Sequence, residues 1–207
     1  MSTAQTYNQT PIAPEELDTE SAWAAFARRG VVSLAEKIQL RNGASIQMRA
    51  IQPDDVNRLQ EFHARLSADT IVMRYFRVAP VLYTRDARRL THLDYNRRMA
   101  LVATIGEGRD ERIIGVVRYE PVSETEAELA FVVEDGWQGL GISTKVLARL
   151  LRYAAQHGYT AMNAVTMSSN VRMRDVLAHT GYPHTARYED GCLCVTLDIS
   201  QPSVTRS

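Results

Sequence analysis

Cysteine is nearly absent from this chain. The only two, Cys192 and Cys194, stand two positions apart in a strand-like run. Neighbouring same-face positions of one strand have poor geometry for a disulfide, so no disulfide framework is expected. Two thiols and five scattered histidines also lack the spacing of a zinc site. We therefore expect a protein without disulfides and without a metal.

Net charge is also lacking, because 24 basic side chains balance 24 acidic ones. A neutral chain does not carry the broad positive surface with which proteins bind nucleic acid or anionic lipid. No apolar run approaches the roughly 20 residues of a membrane span. The first twenty residues contain no basic segment followed by an apolar one, as a signal peptide would. We expect a cytoplasmic protein, monomer or homodimer, that binds neither nucleic acid nor membrane.

The apolar residues that are present, 45% of the chain, follow strand and helix periods in turn. The 207 residues suffice for one domain with a buried core. Residues 1–35 are predicted to be a partly loose extension with a short helix between Ser21 and Gly30, 36–200 the domain, and 201–207 a tail. The predicted order is two strands, two helices, three strands, a helix, a strand, a helix and two strands, which is a mixed α/β domain.

Local signals mark several of these elements. Asn42-Gly43 between two alternating runs predicts a hairpin turn. Pro53 suits the first turn of one helix, and Ser67 is a good N-cap for the next. A long amphipathic helix is predicted from about Ile142 to its stop at Gly158.

The stretch EDGWQGLGIS, residues 134–143, places Gly139 and Gly141 between a strand and that long helix. Glycines there let backbone N–H groups turn toward a ligand, and a helix N-terminus adds unpaired donors that suit a pyrophosphate. No Gly-Lys-Ser/Thr follows, which excludes a Walker loop. The third glycine of a dinucleotide-binding fingerprint is missing as well. From the glycines alone, a phosphate-binding turn and a plain tight turn both remain open.

The residues from Gln138 to Ser143 resemble the acetyl-CoA pyrophosphate loop of the GNAT acetyltransferases, whose pattern is Gln/Arg-x-x-Gly-x-Gly/Ala. The segment SSNVRMRDVLAHTGY resembles the second signature of that superfamily, and the element order fits from about residue 44 to 199. The strings LSADTIVMRYF, LTHLDYNRRMALVAT and AELAFVVEDGWQGLGIS are similar to bacterial protein lysine acetyltransferases that act on acyl-CoA synthetases. One departure is Ser143 at a position that is usually Gly or Ala; serine can still present its N–H.

The resemblance implies a GNAT fold, with a central, mostly antiparallel twisted sheet of about seven strands, helices on both faces, and a splay between strands 4 and 5. It implies acetyl-CoA as cosubstrate, no metal, and a lysine of a protein partner as acceptor. It also implies that a backbone N–H near Phe131 holds the oxyanion while the strand pairs with the pantetheine arm. The implied cofactor-binding residues are Phe131, Val132, Val133, Gln138, Gly139, Leu140, Gly141, Ile142, Ser143, Thr144 and Asn170.

Acetyl transfer to an amine requires the neutral amine. A free lysine has a pKa near 10.4, so only about one molecule in 10³ has a neutral amine at pH 7. A positioned base is worth roughly 10² to 10⁴ in rate. Strand alternation puts Glu126 and Glu128 on one face, opposite Leu129 and Phe131. Such glutamates are commonly solvated, but the resemblance implies that Glu128 is the general base, with Glu126 as second candidate.

Two further positions bear on the reaction. Asn170 is a good N-cap for the helix that follows, and the resemblance implies a cofactor contact as well. Many members of the superfamily place a tyrosine seven residues later as general acid; here that residue is Leu177, so the acid is unassigned. Water suffices in principle, since thiols have a pKa of about 8.5.

Three functions therefore stay open: a protein lysine acetyltransferase, an acetyltransferase for a small amine, and a non-catalytic acyl-CoA-binding module. A protein lysine must enter on a folded partner, so the first function predicts an open acceptor groove. Arg74, Arg97 and Arg98 are predicted as charges at its rim.

Overall fold

One eight-stranded mixed sheet organises the part of the chain that the computed structural model describes, residues 34–201. The predicted extension with its short helix, up to residue 33, and the tail from residue 202 lie outside the described residues. The domain boundaries therefore stay a prediction.

The sheet has the strand order β1-β2-β3-β4-β5-β6-β8-β7. Every neighbouring pair is antiparallel except β5 with β6, which is parallel. The strands are β1 Glu36–Gln39, β2 Ser45–Ala50, β3 Met99–Ile105, β4 Arg112–Pro121, β5 Glu126–Val133, β6 Ala161–Met167, β7 His184–Glu189 and β8 Cys192–Asp198.

Five α-helices are found within residues 34–201, and they cover both faces of the sheet. They are α1 Val56–Ala64, α2 Ala68–Tyr75, α3 Thr84–Thr91, α4 Ile142–Gln156 and α5 Val171–Ala178. On β4, a side chain at Gly115 would face Ile142 of α4, whereas Arg118 bonds to the Leu90 carbonyl of α3. Because these positions are an odd number apart on one strand, α4 and α3 lie on opposite faces.

The long helix α4 is held to its face by a continuous apolar stripe. Val146, Leu147, Leu150 and Leu151 are all almost completely buried. The Tyr153 hydroxyl also donates to the Tyr95 carbonyl at 2.5 Å, which fixes the last turns of the helix. The helix therefore begins at a defined place relative to the sheet, directly after the glycine-containing loop.

The parallel pair β5 and β6 separates along its length. Pairing runs only from Glu126–Ala161 to Glu128–Asn163, although β5 continues to Val133. The predicted fold class, a mixed α/β sheet with helices on both faces and a splay, is confirmed. The sheet has eight strands, as in the predicted element order, rather than the about seven that the resemblance implies. Because β1 precedes the strands of the expected fold, the splayed pair is the fifth and sixth.

A third helix between β2 and β3 was not predicted. The sequence of α3, TRDARRLT, is charged over most of its surface, and only Ala87 and Thr91 are fully buried. Its apolar pattern is too short to identify a helix by periodicity. The helix exists because it packs on α1 and because α1 packs on the sheet.

Candidate active site

An open cavity of about 750 Å³ lies where β5 and β6 separate. Its walls are the second half of β5, the loop from β5 to α4, one side of α2 and the first turns of α5. The cavity therefore brings the two predicted sequence signatures, which start at Gln138 and Asn170, into one site.

The loop at residues 138–141 turns its backbone toward this cavity. Gly139 and Gly141 have φ of 78° and 87°, a left-handed region that favours glycine. Gly141 is the N-cap of α4, and the first intrahelical bond runs from the Lys145 N–H to its carbonyl at 3.1 Å. The N–H groups of residues 142–144 thus have no acceptor within the helix. They form a cradle of donors at the positive end of a helix dipole.

This cradle fits a phosphate group. No atom lies within 4 Å of the place where a Cβ on Gly139 would stand, so a ligand can approach the backbone there. On Gly141 the nearest atom to that place is the Nε of Arg41, at 3.9 Å. Free N–H donors, open space and an arginine are the features that bind a pyrophosphate.

The Gln138 side chain holds the loop in shape. Its Nε2 donates to the Val133 carbonyl at 2.9 Å and to the Thr70 hydroxyl at 3.2 Å. Its Oε1 accepts a hydrogen bond from Arg172 of α5. Gln138 therefore ties the end of β5 to α2 and α5, which are the two walls on either side of the loop.

Asp135 makes a second tie between the loop and α2. Its carboxylate accepts from the Ser67 N–H at 2.9 Å and from the Ser67 and Thr70 hydroxyls at 2.7 Å each. Partial burial opposes ionisation, but these hydrogen bonds outweigh it and lower the pKa of Asp135. The Ser67 hydroxyl also accepts from the Thr70 N–H as the predicted N-cap. Loop and helix α2 thus form one hydrogen-bonded unit.

The two candidate bases lie in different surroundings. Glu128 lines the cavity, and within residues 34–201 its carboxylate has no hydrogen bond or ion pair. Glu126 does not line the cavity, and its carboxylate accepts from Asn163 at 3.1 Å. The predicted strand alternation is observed, since Ala127 and Leu129 are buried while both glutamates are exposed.

A second carboxylate stands beside Glu128 on the sheet. Glu120 of β4 is its direct cross-strand partner. Arg98 binds Glu120 at 2.5 and 3.2 Å, so the neighbouring negative charge is balanced by a guanidinium. Of these two carboxylates, only Glu128 faces the cavity.

The second half of β5 is open on the side of β6. Because strand pairing ends at Glu128, alternate N–H and C=O groups beyond it point toward the cavity without a strand partner. Phe131 and Val132 lie in this open stretch and line the cavity. Val133 lines it too, but its carbonyl is already bonded to Gln138.

Asn170 is the N-cap of α5, as predicted. Its Oδ1 accepts from the Met173 N–H at 3.1 Å, and the residue also lines the cavity. Leu177 is 1% exposed and lies outside the cavity lining. Among the described residues, no tyrosine, histidine, cysteine or lysine lines the cavity.

The structure thus gathers all but one of the predicted site residues around the cavity. The exception is Leu140, whose side chain packs against the hydrophobic core. Sequence reasoning missed Arg41, which lies in the β1–β2 turn, and Arg172, which stands two positions after Asn170. Arg172 could have been noted from its place in the second signature, whereas no local pattern marks Arg41.

The three arginines predicted at the acceptor rim differ in their positions. Arg74 of α2 lines the cavity. Arg97 and Arg98 do not: Arg97 pairs with Glu124 at 2.8 Å, and Arg98 binds Glu120. Of the three, only Arg74 therefore lies at the cavity, while Arg97 and Arg98 lie outside its lining and are paired with carboxylates. A role of these arginines at an acceptor rim stays a prediction.

Comparison with known proteins agrees with this geometry. The acetyltransferase (GNAT) domain family matches residues 45–183. The chain is 29% identical over 148 residues to the acetyltransferase PA5475 of Pseudomonas aeruginosa, which spans 69% of this chain and 77% of that protein. It is 30% identical over 147 residues to the acetyltransferase Pat of Mycolicibacterium smegmatis, which spans 70% of this chain but only 43% of Pat.

The GNAT domain of S. lividans PAT is a similar solved structure. It superposes with a TM-score of 0.74 at 30% identity, over 80% of this chain and 97% of that one. The chain belongs to the GNAT acetyltransferase family and is an N-acetyltransferase. Within the family it resembles the Pat-like enzymes. No helix among residues 34–201 is both long and apolar enough to span a bilayer.

Proposed function

We propose that this protein transfers the acetyl group of acetyl-CoA to a lysine side chain of a folded protein, of the acyl-CoA synthetase type, with Glu128 as general base. The observation that carries the proposal is the position of the unpaired Glu128 carboxylate in the same cavity as the phosphate cradle. Acetyl-CoA supplies an activated acetyl group as a thioester.

In this reaction, different parts of the cavity bind different parts of acetyl-CoA. The N–H groups of residues 142–144 hold the pyrophosphate, and the open edge at Phe131 and Val132 hydrogen-bonds the pantetheine arm. An amide N–H of that edge is available to the oxygen on which negative charge develops. Asn170 caps α5 and borders the cofactor.

Glu128 then accepts a proton from the lysine ammonium, directly or through one water. The resulting neutral amine forms the new C–N bond as the C–S bond breaks, and the nitrogen releases its second proton to water, which yields Nε-acetyl-lysine and the CoA thiolate. Since none of the described tyrosine, histidine, cysteine or lysine side chains lines the cavity, water protonates the departing thiolate. A thiol pKa of about 8.5 makes this protonation undemanding.

A protein acceptor is supported by the surface beside α2. The loop at residues 76–83 joins α2 to α3 and exposes Phe76, Val78, Val81 and Tyr83, the last three by more than half of their surface. Phe76 also lines the cavity. Exposed apolar groups clustered next to a site are typical of a surface that another protein covers.

Charge supports the same acceptor. Between residues 74 and 89 the sequence has five arginines and one acidic residue, Asp86, in a chain with no net charge. Such a local excess favours a partner whose lysine lies on an acidic face. A small amine would need neither the apolar loop nor the arginines.

The proposal is tested by replacing Glu128 with glutamine, using Glu126→Gln as the matched control from the same face of β5. Glu128→Gln should keep acetyl-CoA affinity near normal and lower turnover by about 10² to 10⁴. Glu126→Gln should lose far less, because that carboxylate is already bonded to Asn163. Undiminished turnover of Glu128→Gln would rule out the base.

The acceptor is tested with labelled acetyl-CoA and a panel of acyl-CoA synthetases, with acetylated lysines mapped by mass spectrometry. At least one synthetase should be acetylated at a defined lysine faster than free lysine is. Faster acetylation of a free small amine than of every protein tested would instead favour a small-molecule acetyltransferase.

A further inference from the structure

Arg41 is a cation at the phosphate cradle that comes from a distant part of the chain. It lies in the turn between β1 and β2, it lines the cavity, and its Nε is 3.9 Å from the place of a Cβ on Gly141. The residue is exposed, and within the described range its guanidinium makes no hydrogen bond or ion pair. Its full charge is thus available to a ligand.

The turn that carries Arg41 is well anchored. On either side of it Ile38, Leu40 and Ile46 are buried in the core. The Leu40 N–H donates to the Ala44 carbonyl at 2.8 Å, and the Gly43 N–H donates to the Leu40 carbonyl at 3.0 Å. The backbone of Arg41 is therefore held in place, and only its side chain has to settle on a ligand.

The other arginine at the loop has a different task. Arg172 donates to the Oε1 of Gln138, so it supports the loop from the side of α5. The cradle itself offers only neutral N–H dipoles. A guanidinium binds phosphate oxygens with charge-assisted, often paired hydrogen bonds, which are stronger than those of neutral donors. Arg41 supplies the positive charge that the cradle lacks.

We propose that Arg41 binds the pyrophosphate of CoA from outside the segment that matches the family and sets much of the cofactor's affinity. The assignment rests on the proposed cofactor site. The pyrophosphate is the group expected at the N-terminus of α4, and Arg41 lies against Gly141, which is that N-terminus. Arg41 also precedes the residues that match the family, 45–183, and is contributed by the β1–β2 turn.

The experiment compares Arg41→Ala, Arg41→Lys and the control Arg187→Ala by titration calorimetry. Arg187 is an exposed arginine on β7, at the opposite edge of the sheet, and its removal changes the net charge equally. The ligands are CoA, 3′-dephospho-CoA and pantetheine, which lacks both the pyrophosphate and the 3′-phosphate. Arg41→Ala should weaken CoA and 3′-dephospho-CoA by the same factor, about tenfold, and leave pantetheine unchanged.

Arg41→Lys should retain part of the affinity for CoA, because an ammonium keeps the positive charge but lacks the two parallel N–H donors of a guanidinium. Arg187→Ala should bind CoA as tightly as the unmutated protein. Equal CoA binding by Arg41→Ala and the unmutated protein would overturn the proposal. A loss for CoA but not for 3′-dephospho-CoA would assign Arg41 to the 3′-phosphate and overturn the pyrophosphate assignment. An equal loss for pantetheine would show an effect on the fold and overturn the assignment as well.

These outcomes are separable from failure of the proposed function. If the unmutated protein binds none of the three ligands, the cofactor site itself is refuted and the Arg41 assignment with it. If the unmutated protein binds CoA and both Arg41 variants bind it as tightly as the unmutated protein does, the cofactor site stands and only the Arg41 assignment is refuted.

Discussion

Replacing Gly141 with alanine should destabilise the fold as much as replacing Gly158 with alanine, but it should weaken acetyl-CoA binding far more. The two glycines have the same φ of 87° and stand at opposite ends of α4. A Cβ at Gly158 meets no atom within 4 Å, and a Cβ at Gly141 meets only Arg41 at ordinary van der Waals distance. Neither alanine side chain clashes with a neighbouring atom. Each substitution therefore lowers stability only by the free energy needed to hold an L-residue in the left-handed conformation.

That conformational cost is about 1–2 kcal/mol for an L-residue. In a domain of this size it corresponds to a fall of about 2–8 °C in Tm for each variant. The consequence for binding differs, because the methyl group added by Gly141→Ala would stand between the loop and Arg41, where the pyrophosphate is proposed to lie. We expect at least a tenfold loss of acetyl-CoA affinity for Gly141→Ala, about 1.4 kcal/mol, and complete loss for the bulkier Gly141→Val.

Thermal unfolding and titration calorimetry on the same samples separate the two effects. Gly158→Ala should match Gly141→Ala in Tm and the unmutated protein in affinity. If Gly141→Ala binds acetyl-CoA as tightly as Gly158→Ala does, the backbone of the loop is not the phosphate cradle, and the assignment of residues 138–144 fails.

Two further predictions concern pH and salt. Burial lowers the pKa of His63 below its ordinary value of about 6.5. As the pH falls below that value, the unfolded chain takes up a proton more readily than the folded one, so stability is lost. In urea unfolding, His63→Leu should therefore show a weaker loss of stability below about pH 6.5, by up to about 1.4 kcal/mol per pH unit. An equally steep profile for the variant would exclude His63 as the cause. Charge reversal at Arg74 and Arg77 should raise the KM for a protein acceptor and leave the KM for acetyl-CoA unchanged. This effect should disappear as the salt concentration rises from about 0.05 to 0.5 M, because salt screens exposed charges. Reversal at Arg187 should change neither KM. A salt-independent effect on the protein KM would contradict electrostatic docking.

The features that were predicted well from the sequence are those that depend only on residues close together in the chain. Asn42-Gly43 makes the β1–β2 turn because Gly43 can adopt a φ of 82°. The glycines at 139 and 141 predicted a turn before a helix for the same reason. The alternation on β5 predicted the faces of Glu126 and Glu128, since side chains on a strand alternate by geometry alone.

The parts that were missed depend on contacts between distant segments. Arg41 and Gly141 are about 100 positions apart in sequence, and only the packing of the β1–β2 hairpin brings them together. Likewise, the sequence has many acidic residues, and nothing in it selects Glu124 and Glu120 as partners of Arg97 and Arg98. Helix α3 belongs to the same group, because its packing on α1 replaces the apolar pattern that it lacks.

The splay explains how the proposed cofactor and acceptor sites can share one cavity. Paired strands leave no backbone group free, so a ligand can join the middle of a sheet only where pairing stops, and here it stops at Glu128. In the proposed reaction, the same point offers a carboxylate to the acceptor amine and an open strand edge to the cofactor. Because Gln138 and Asp135 bond the loop to α2, a ligand bound at the loop also supports α2, the wall beside the proposed acceptor surface. For the proposed acetylation of a protein, this arrangement favours binding of the acetyl donor before the acceptor.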